Sequence, residues 1–295
     1  MPQIDLKKYI VKVVTKKKYC KNDRQLISMK KITKKINMKP KALILSGYGL
    51  NCEEEAKFAF EMAGGEGDII HINDLIVKPA MLLKYQILVF PGGFSYGDDT
   101  GSGKAYANKL RNHLKKELDV FIKRDTLTIG ICNGFQIITS LGLVPGALTH
   151  NESAQYIDRW VDLKAEGDSP WLTGIEKISV PIAHGEGRYI IDEKEYKKMK
   201  ANGQIAFTYT KGDMCAYQNL PSNPNGAMYD IAGVLSYDGR VLGMMPHPER
   251  ALFFHHLPDW TEKREQLRRK GITEIPEEGP GLALFKNAVN YFKNK

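Results

Sequence analysis

The sequence predicts an α/β fold with a mainly parallel central sheet flanked by helices, and additional antiparallel strands in its C-terminal half. Three observations carry this. Short, almost wholly apolar runs alternate with longer amphipathic stretches from residue 41 to residue 140, the pattern of buried strands joined by crossover helices. Three of those runs end in glycine-rich loops, Gly47-Tyr-Gly49, Pro91-Gly-Gly-Phe-Ser-Tyr-Gly-Asp98 and Gly130-Ile-Cys-Asn-Gly134. Later in the chain the strand-like runs crowd together, and Asp238-Gly239 is a hairpin turn signal.

Lys41-Ala-Leu-Ile-Leu-Ser46 is a strand buried on both faces. Asn51 opens a helix, with Glu54 three residues on as a capping box. That helix runs through Ala56, Phe58 and Met62 and stops at Gly64-Gly65. Strands are predicted at Asp68–Ile72, Tyr85–Phe90 and Leu127–Ile129, with a long helix over about 105–124 and another through Ile137-Ile138. Trp160–Leu163, Ile178–Ile182, Ile205–Tyr209, Ile231–Tyr237 and Val241–Met245 read as further strands, several of them antiparallel. A last amphipathic helix spans Gly281–Phe292. Residues 41–295 show no internal repeat and no linker, so one domain is expected there.

The chain carries +9, but unevenly. Residues 1–40 hold twelve Lys, one Arg and two acids, or +11, so the other 255 residues carry −2. Residues 1–40 are therefore expected to be a basic, poorly ordered N-terminal extension. A nucleic-acid-binding arm, a mitochondrial presequence and upstream sequence before a true start at Met38 are the other readings of it. The nearly neutral body does not present a phosphate-neutralising surface, which argues against nucleic acid as its partner. No apolar run approaches the roughly 20 residues that span a bilayer. The four cysteines, Cys20, Cys52, Cys132 and Cys215, form no Cys-x-x-Cys pair, which fits a reducing cytoplasm. No metal site is expected.

Gly130-x-Cys132-x-Gly134 lies between a strand and a helix, the setting of a nucleophile elbow. The helix points its positive end at the sulfur, and the Asn133 amide stands where an oxyanion would develop. A buried structural cysteine beside a glycine turn would look the same. Pro246-His247-Pro248-Glu249 separates the two. Prolines hold His247 extended, residues i and i+2 share a side, and Glu249 can orient an imidazole that serves Cys132 as base. The Pro91–Asp98 loop offers more amides to a ligand. It does not lead into a nucleotide phosphate loop, because Asp98 stands where the first Gly belongs and Ala105 where Ser or Thr must hold Mg²⁺.

At these runs the chain resembles the class I (triad) glutamine amidotransferases, a flavodoxin-like fold. Within them it resembles the family of glutaminase subunits of phosphoribosylformylglycinamidine synthases. The matching runs are Gly49-Leu-Asn-Cys-Glu53, Pro91–Asp98, Gly130-Ile-Cys-Asn-Gly-Phe-Gln136, Pro181-Ile-Ala-His-Gly-Glu-Gly-Arg-Tyr189 and Pro246-His-Pro-Glu-Arg250. The resemblance implies Cys132 as nucleophile, His247 as base and acid, and Glu249 as orienter. It implies amides near Gly93, Phe94 and Asn133 as oxyanion donors, Gly92 among the substrate-binding residues, Gln136 near bound glutamine, and His184 and Glu186 on the substrate side. It implies no cofactor in this chain, an ATP- and Mg-dependent synthetase subunit as partner, and a small bridging subunit. The competing expectations are an amidotransferase for another acceptor, a cysteine protease or chaperone-like relative of the same fold, and a basic-tailed binding protein. Residues 255–280 have no assigned role.

Overall fold

A computed structural model describes residues 39–97 and 101–293. The expected basic extension lies outside the described residues except for its last two, and Asp98 is outside them as well.

The elements follow in chain order. The first half holds β1 (Lys41–Ser46), α1 (Glu53–Met62), β2 (Glu66–His71), α2 (Ile72–Val77), β3 (Ile87–Phe90), α3 (Lys104–Lys123), β4 (Leu127–Ile131) and α4 (Asn133–Ser140). The second half holds β5 (Ala147–Thr149), β6 (Ile157–Ala165), β7 (Lys177–His184), β8 (Arg188–Ile190), α5 (Glu193–Ala201), β9 (Ile205–Thr210), α6 (Asp213–Gln218), β10 (Ile231–Ser236) and β11 (Val241–Met244). It closes with α7 (Trp260–Arg269) and α8 (Leu282–Lys293).

The main sheet runs β2-β1-β3-β4-β11-β10-β9-β6-β7. From β2 to β11 every pairing is parallel; from β11 to β7 every pairing is antiparallel. β3 and β4 are buried throughout, as their unbroken apolar runs require. The chain leaves β1 toward β2 and returns to β3 on the other side. Right-handed crossovers then place α1 and α3 on opposite faces and leave a crevice beyond the ends of β1 and β3. The parallel block puts the ends of β1, β3, β4 and β11 on one edge, and the alternation beyond it brings the end of β7 there too.

Side-chain packing fixes these layers. α3 buries Tyr106, Ala107, Leu110, Leu114, Leu118, Phe121 and Ile122, one face of a 3.6-residue period. Tyr106 donates its hydroxyl hydrogen to the Ser46 carbonyl at 3.0 Å, tying α3 to the end of β1. On the other face Phe60 of α1 meets Phe285 of α8 edge-on, with centroids 5.0 Å apart. Each such buried ring contributes about 1.5–3 kcal/mol. Among the described residues no helix is long and apolar enough to cross a membrane.

One local expectation changes, and two features appear that the sequence did not signal. Asn51 does not cap α1; the cap is Cys52, without a side-chain hydrogen bond. The N–H groups of Asn51 and Cys52 both donate to the Gly92 carbonyl, at 3.1 and 3.2 Å. The loop is thus committed to the site rather than to its own helix. β5 and β8 form a separate two-stranded sheet that the sequence did not signal. Residues 254–278 form an excursion around α7 that starts and ends at the Phe253–Glu278 bridge.

Candidate active site

The elbow follows β4. Cys132 has φ 52° and ψ −109° and stands at the N-cap of α4, a left-handed position that an L-residue holds only under constraint. The constraint is visible. The Cys132 N–H donates to the Met244 carbonyl of β11 at 2.8 Å. A Cβ on Gly134 would overlap the Phe90 carbonyl, and one on Gly130 would lie 2.7 Å from the Gly134 carbonyl oxygen. Both glycines therefore let β3, β4 and α4 close to backbone contact. We expect Gly134→Ala to force the elbow open, lowering stability by about 1–3 kcal/mol and the rate of chemistry at Cys132 roughly 100-fold. Thermal melting and a steady-state assay on the substrate the resemblance implies would check this; a wild-type rate would refute it.

β11 delivers the other two side chains. The His247 N–H donates to the Pro181 carbonyl at 2.8 Å, and its Nδ1 lies 2.5 Å from Glu249 Oε1. Cys132, His247 and Glu249 are 5, 2 and 2 % exposed, and the Cys132 sulfur stands close enough to the imidazole to raise its pKa. The extended His-Pro-Glu expected from the prolines is not what joins them. His247 has φ −103° and ψ 87°, outside the extended region; Pro248–Arg250 form a 3-10 turn, with Pro248 at its first position, and the turn swings Glu249 back to the ring. Burial disfavours the His247 imidazolium and is the largest single influence on it. The Glu249 carboxylate and the Cys132 sulfur outweigh burial and hold the pKa well above the ordinary histidine value. The Cys132 Sγ itself faces the Ala183 carbonyl at 3.7 Å, at the end of β7.

The loop after β3 lies beside this group. Gly92 stands against the imidazole: a Cβ there would be 2.7 Å from His247 Cε1. Gly93 has φ 150° and bridges to Leu50. The Phe94 N–H is already donated to the Gly49 carbonyl at 2.9 Å. That corrects the expectation of a Phe94 amide as oxyanion donor and leaves the amides of Gly93 and Asn133 for the role. The Phe94 ring is exposed and tilts against Tyr156, centroids 6.2 Å apart.

Asn133 and Gln136 form a strut across the site. Ser95 N–H donates to Asn133 Oδ1 at 3.1 Å, Asn133 Nδ2 donates to Gln136 Oε1 at 2.7 Å, and Gln136 Nε2 donates to the Glu186 carbonyl at 2.7 Å. Each amide uses both ends, so the β3 loop, α4 and the β7 loop hold one another in register.

The chain matches the CobB/CobQ-like glutamine amidotransferase domain over residues 39–292. It belongs to this family of glutamine amidotransferases. The amidotransferase is 48% identical over 271 residues to the phosphoribosylformylglycinamidine synthase subunit PurQ of Methanococcus maripaludis strain C7, covering 87% of this chain and 99% of that one. It is 38% identical over 263 residues to the PurQ subunit of Dehalococcoides mccartyi, covering 86% and 98%. Among solved structures it resembles a chain in PurLQS from Thermotoga maritima, with a TM-score of 0.61, 34% identity, and coverage of 86% and 100%.

His184, which the resemblance put on the substrate side, is defined in the amidotransferase by its neighbours. Asn151 Nδ2 donates to the carbonyls of His184 and Gln155, each at 2.8 Å, which turns its Oδ1 to accept from Gly187 N–H at 3.1 Å and from His184 Nδ1 at 3.0 Å. Nδ1 of His184 therefore carries the proton, and Nε2 offers a lone pair. Burial and the nearby His247 hold the His184 pKa down to about 3, so this ring stays neutral. Its Nε2 is buried with no hydrogen-bond partner among the described residues. Glu186 contributes its backbone carbonyl to the strut, and its side chain lies 3.7 Å from His150 Nδ1. A cavity of about 440 Å³ adjoins Gln136 and Glu186, with Ser102, Lys104 and Thr139 also lining it. Cys132, His247 and Glu249 are not among its lining residues.

Two residues in the amidotransferase site were missed from the sequence. Cys52, with His247 and Glu249, brings three donor atoms within 4.8 Å of one another. That set does not fit a metal ion. Nδ1 and Oε1 at 2.5 Å are closer than the roughly 3.3 Å edge implied by tetrahedral ligands about 2.0 Å from zinc. Arg250 already places a guanidinium 3.0 Å from the Cys52 sulfur. Both residues stand in quoted runs, but nothing in either run pairs them.

Proposed function

We propose that this chain is the glutaminase subunit of a phosphoribosylformylglycinamidine synthase, hydrolysing glutamine and passing the ammonia to a synthetase partner. The observation that carries the reading is the buried meeting of Cys132, His247 and Glu249, in a chain whose 48% identity spans nearly all of a PurQ subunit.

The chemistry follows from the geometry. The Cys132 thiolate attacks the side-chain amide carbon of glutamine. The oxygen takes up negative charge and is met by the N–H groups of Gly93 and Asn133. The C–N bond breaks as imidazolium His247 gives its proton to the departing nitrogen, and ammonia leaves. A γ-glutamyl thioester remains. Neutral His247 then takes a proton from water, the hydroxide attacks the thioester, and glutamate and the free thiol are released. Glu249 keeps Nδ1 protonated and the ring aimed throughout.

ATP and Mg²⁺ belong on the synthetase partner, where the ammonia amidates formylglycinamide ribonucleotide. A small bridging subunit completes the assembly. A reducing cytoplasm keeps Cys132 free. Glutamine labelled with ¹⁵N in its amide tests the reading. In the complex with the synthetase, the label is expected in the amidine product, with one glutamate released per turnover. A complex with no glutaminase activity would sink it.

A further inference from the structure

Two residues at the back of the site take no part in the chemistry above. Cys52 ends the loop after β1 and is 1 % exposed. Arg250 directly follows Glu249 and is half-buried. Arg250 Nη2 donates to Cys52 Sγ at 3.0 Å, across 198 positions of sequence. The sulfur also stands against the imidazole: a Cβ built on Gly92 would meet His247 Cε1 at 2.7 Å and Cys52 Sγ at 3.0 Å.

Glu249 has one oxygen committed and one not. Oε1 holds His247 Nδ1. Oε2 is buried and has no hydrogen-bond partner among the described residues. A guanidinium on the next residue is the natural partner for such a carboxylate, because planar forks bind carboxylates through two parallel hydrogen bonds. That pairing would draw Oε1 from Nδ1 and strip the imidazolium of its counter-charge.

We propose that Cys52 is the acceptor that keeps the Arg250 guanidinium off Glu249, so that the carboxylate stays on His247. Sulfur is a weaker acceptor than a carboxylate, so its hold depends on position. The position is fixed: Gly92 accepts the N–H groups of both Asn51 and Cys52, and Leu50 bridges to Gly93. The guanidinium still feels both neighbours. Burial disfavours its charge most strongly, and Cys52 and Glu249 together more than offset that. Cys52 is thus a positioning residue for the triad. The inference rests on the glutaminase reading of Cys132, His247 and Glu249.

The test uses the complex with the synthetase, assayed with glutamine and with free ammonia. Cys52→Ala, and Cys52→Val, which leaves no cavity and no acceptor, are expected to lower glutamine-dependent kcat about 10- to 100-fold, with the KM for glutamine within about twofold. Ammonia-dependent synthesis should be unchanged. The alkaline limb of the pH profile should move to lower pH as His247 loses its counter-charge. Cys52→Ser, whose hydroxyl accepts from Arg250, should restore the rate to within about threefold. Adding Arg250→Met to Cys52→Ala should recover most of the lost kcat, which repair of a packing defect alone would not do. Wild-type kcat in both Cys52→Ala and Cys52→Val overturns the proposal. So does a double variant no faster than Cys52→Ala, or a Cys52→Ser variant no faster. A Cys132→Ala complex that still used glutamine would instead overturn the glutaminase reading, whatever Cys52 does.

Discussion

Cys132→Ala is expected to abolish glutamine-dependent synthesis in the assembled complex while ammonia-dependent synthesis continues at the wild-type rate. No other group can form the thioester from this position. The neighbouring sulfur, Cys52, is engaged by Arg250. The loss should exceed about 10⁴-fold, the scale on which removing a nucleophile from a coupled triad acts. The fold should survive. Alanine keeps the Cβ, and the Cys132 N–H bond to Met244 is made by backbone. Removing one sulfur from a buried site typically changes stability by about 1–2 kcal/mol. The variant therefore separates generation of ammonia from its use. Steady-state rates with each nitrogen donor check it. Loss of both activities would disprove the division of labour between this chain and the synthetase.

The parallel half of the fold was legible because each buried strand is a short apolar run bounded by glycine or proline, and each crossover helix has a 3.6-residue stripe. The Leu127–Ile129 run and the α3 stripe are of this kind. The order of the antiparallel half was not legible. β6 lies between β7 and β9, and no local pattern states which strand a half-buried strand will choose. The site behaved in the same way. Cys132, His247 and Glu249 stand in runs whose spacing suggested a triad, and the fold places His247 Nδ1 2.5 Å from Glu249 Oε1. The route by which Glu249 reaches His247 was misread, because two prolines suggest extension while the chain takes a 3-10 turn at the second. The Phe94 amide and the Asn51 cap were misassigned for a shared reason. Both groups belong to the contact between the β1 and β3 loops, where Gly49 and Gly92 supply the acceptors. Hydrogen bonds between loops some 40 residues apart leave no periodic trace.

Glu249→Gln is the second large effect expected. The substitution is nearly isosteric and removes only charge. His247 is buried, and burial is the strongest influence against its imidazolium; the Glu249 carboxylate is the first of those that reverse it. Without that charge the ring's pKa falls. The consequence for rate has a definite sign. Release of ammonia needs His247 protonated, so the alkaline decline of the wild-type rate comes as pH rises through the elevated pKa of the imidazolium. In Glu249→Gln that alkaline limb must shift to lower pH, because the proton is lost sooner. The thiolate–imidazolium pair is also less populated at every pH. The amide carries a further defect. Its NH₂ can turn to donate to Nδ1, which holds the ring in the tautomer that cannot accept from Cys132. Together these should lower glutamine-dependent kcat about 10³- to 10⁴-fold, as loss of the orienting carboxylate does in other triads. Ammonia-dependent synthesis should be untouched. Rates measured from about pH 6 to about pH 10 would show both the drop and the direction of the shift. An alkaline limb that stayed in place would mean that Glu249 is not what holds the proton on His247, and a drop under about tenfold would mean that Gly92, Cys52 and the Pro181 carbonyl suffice to aim the ring.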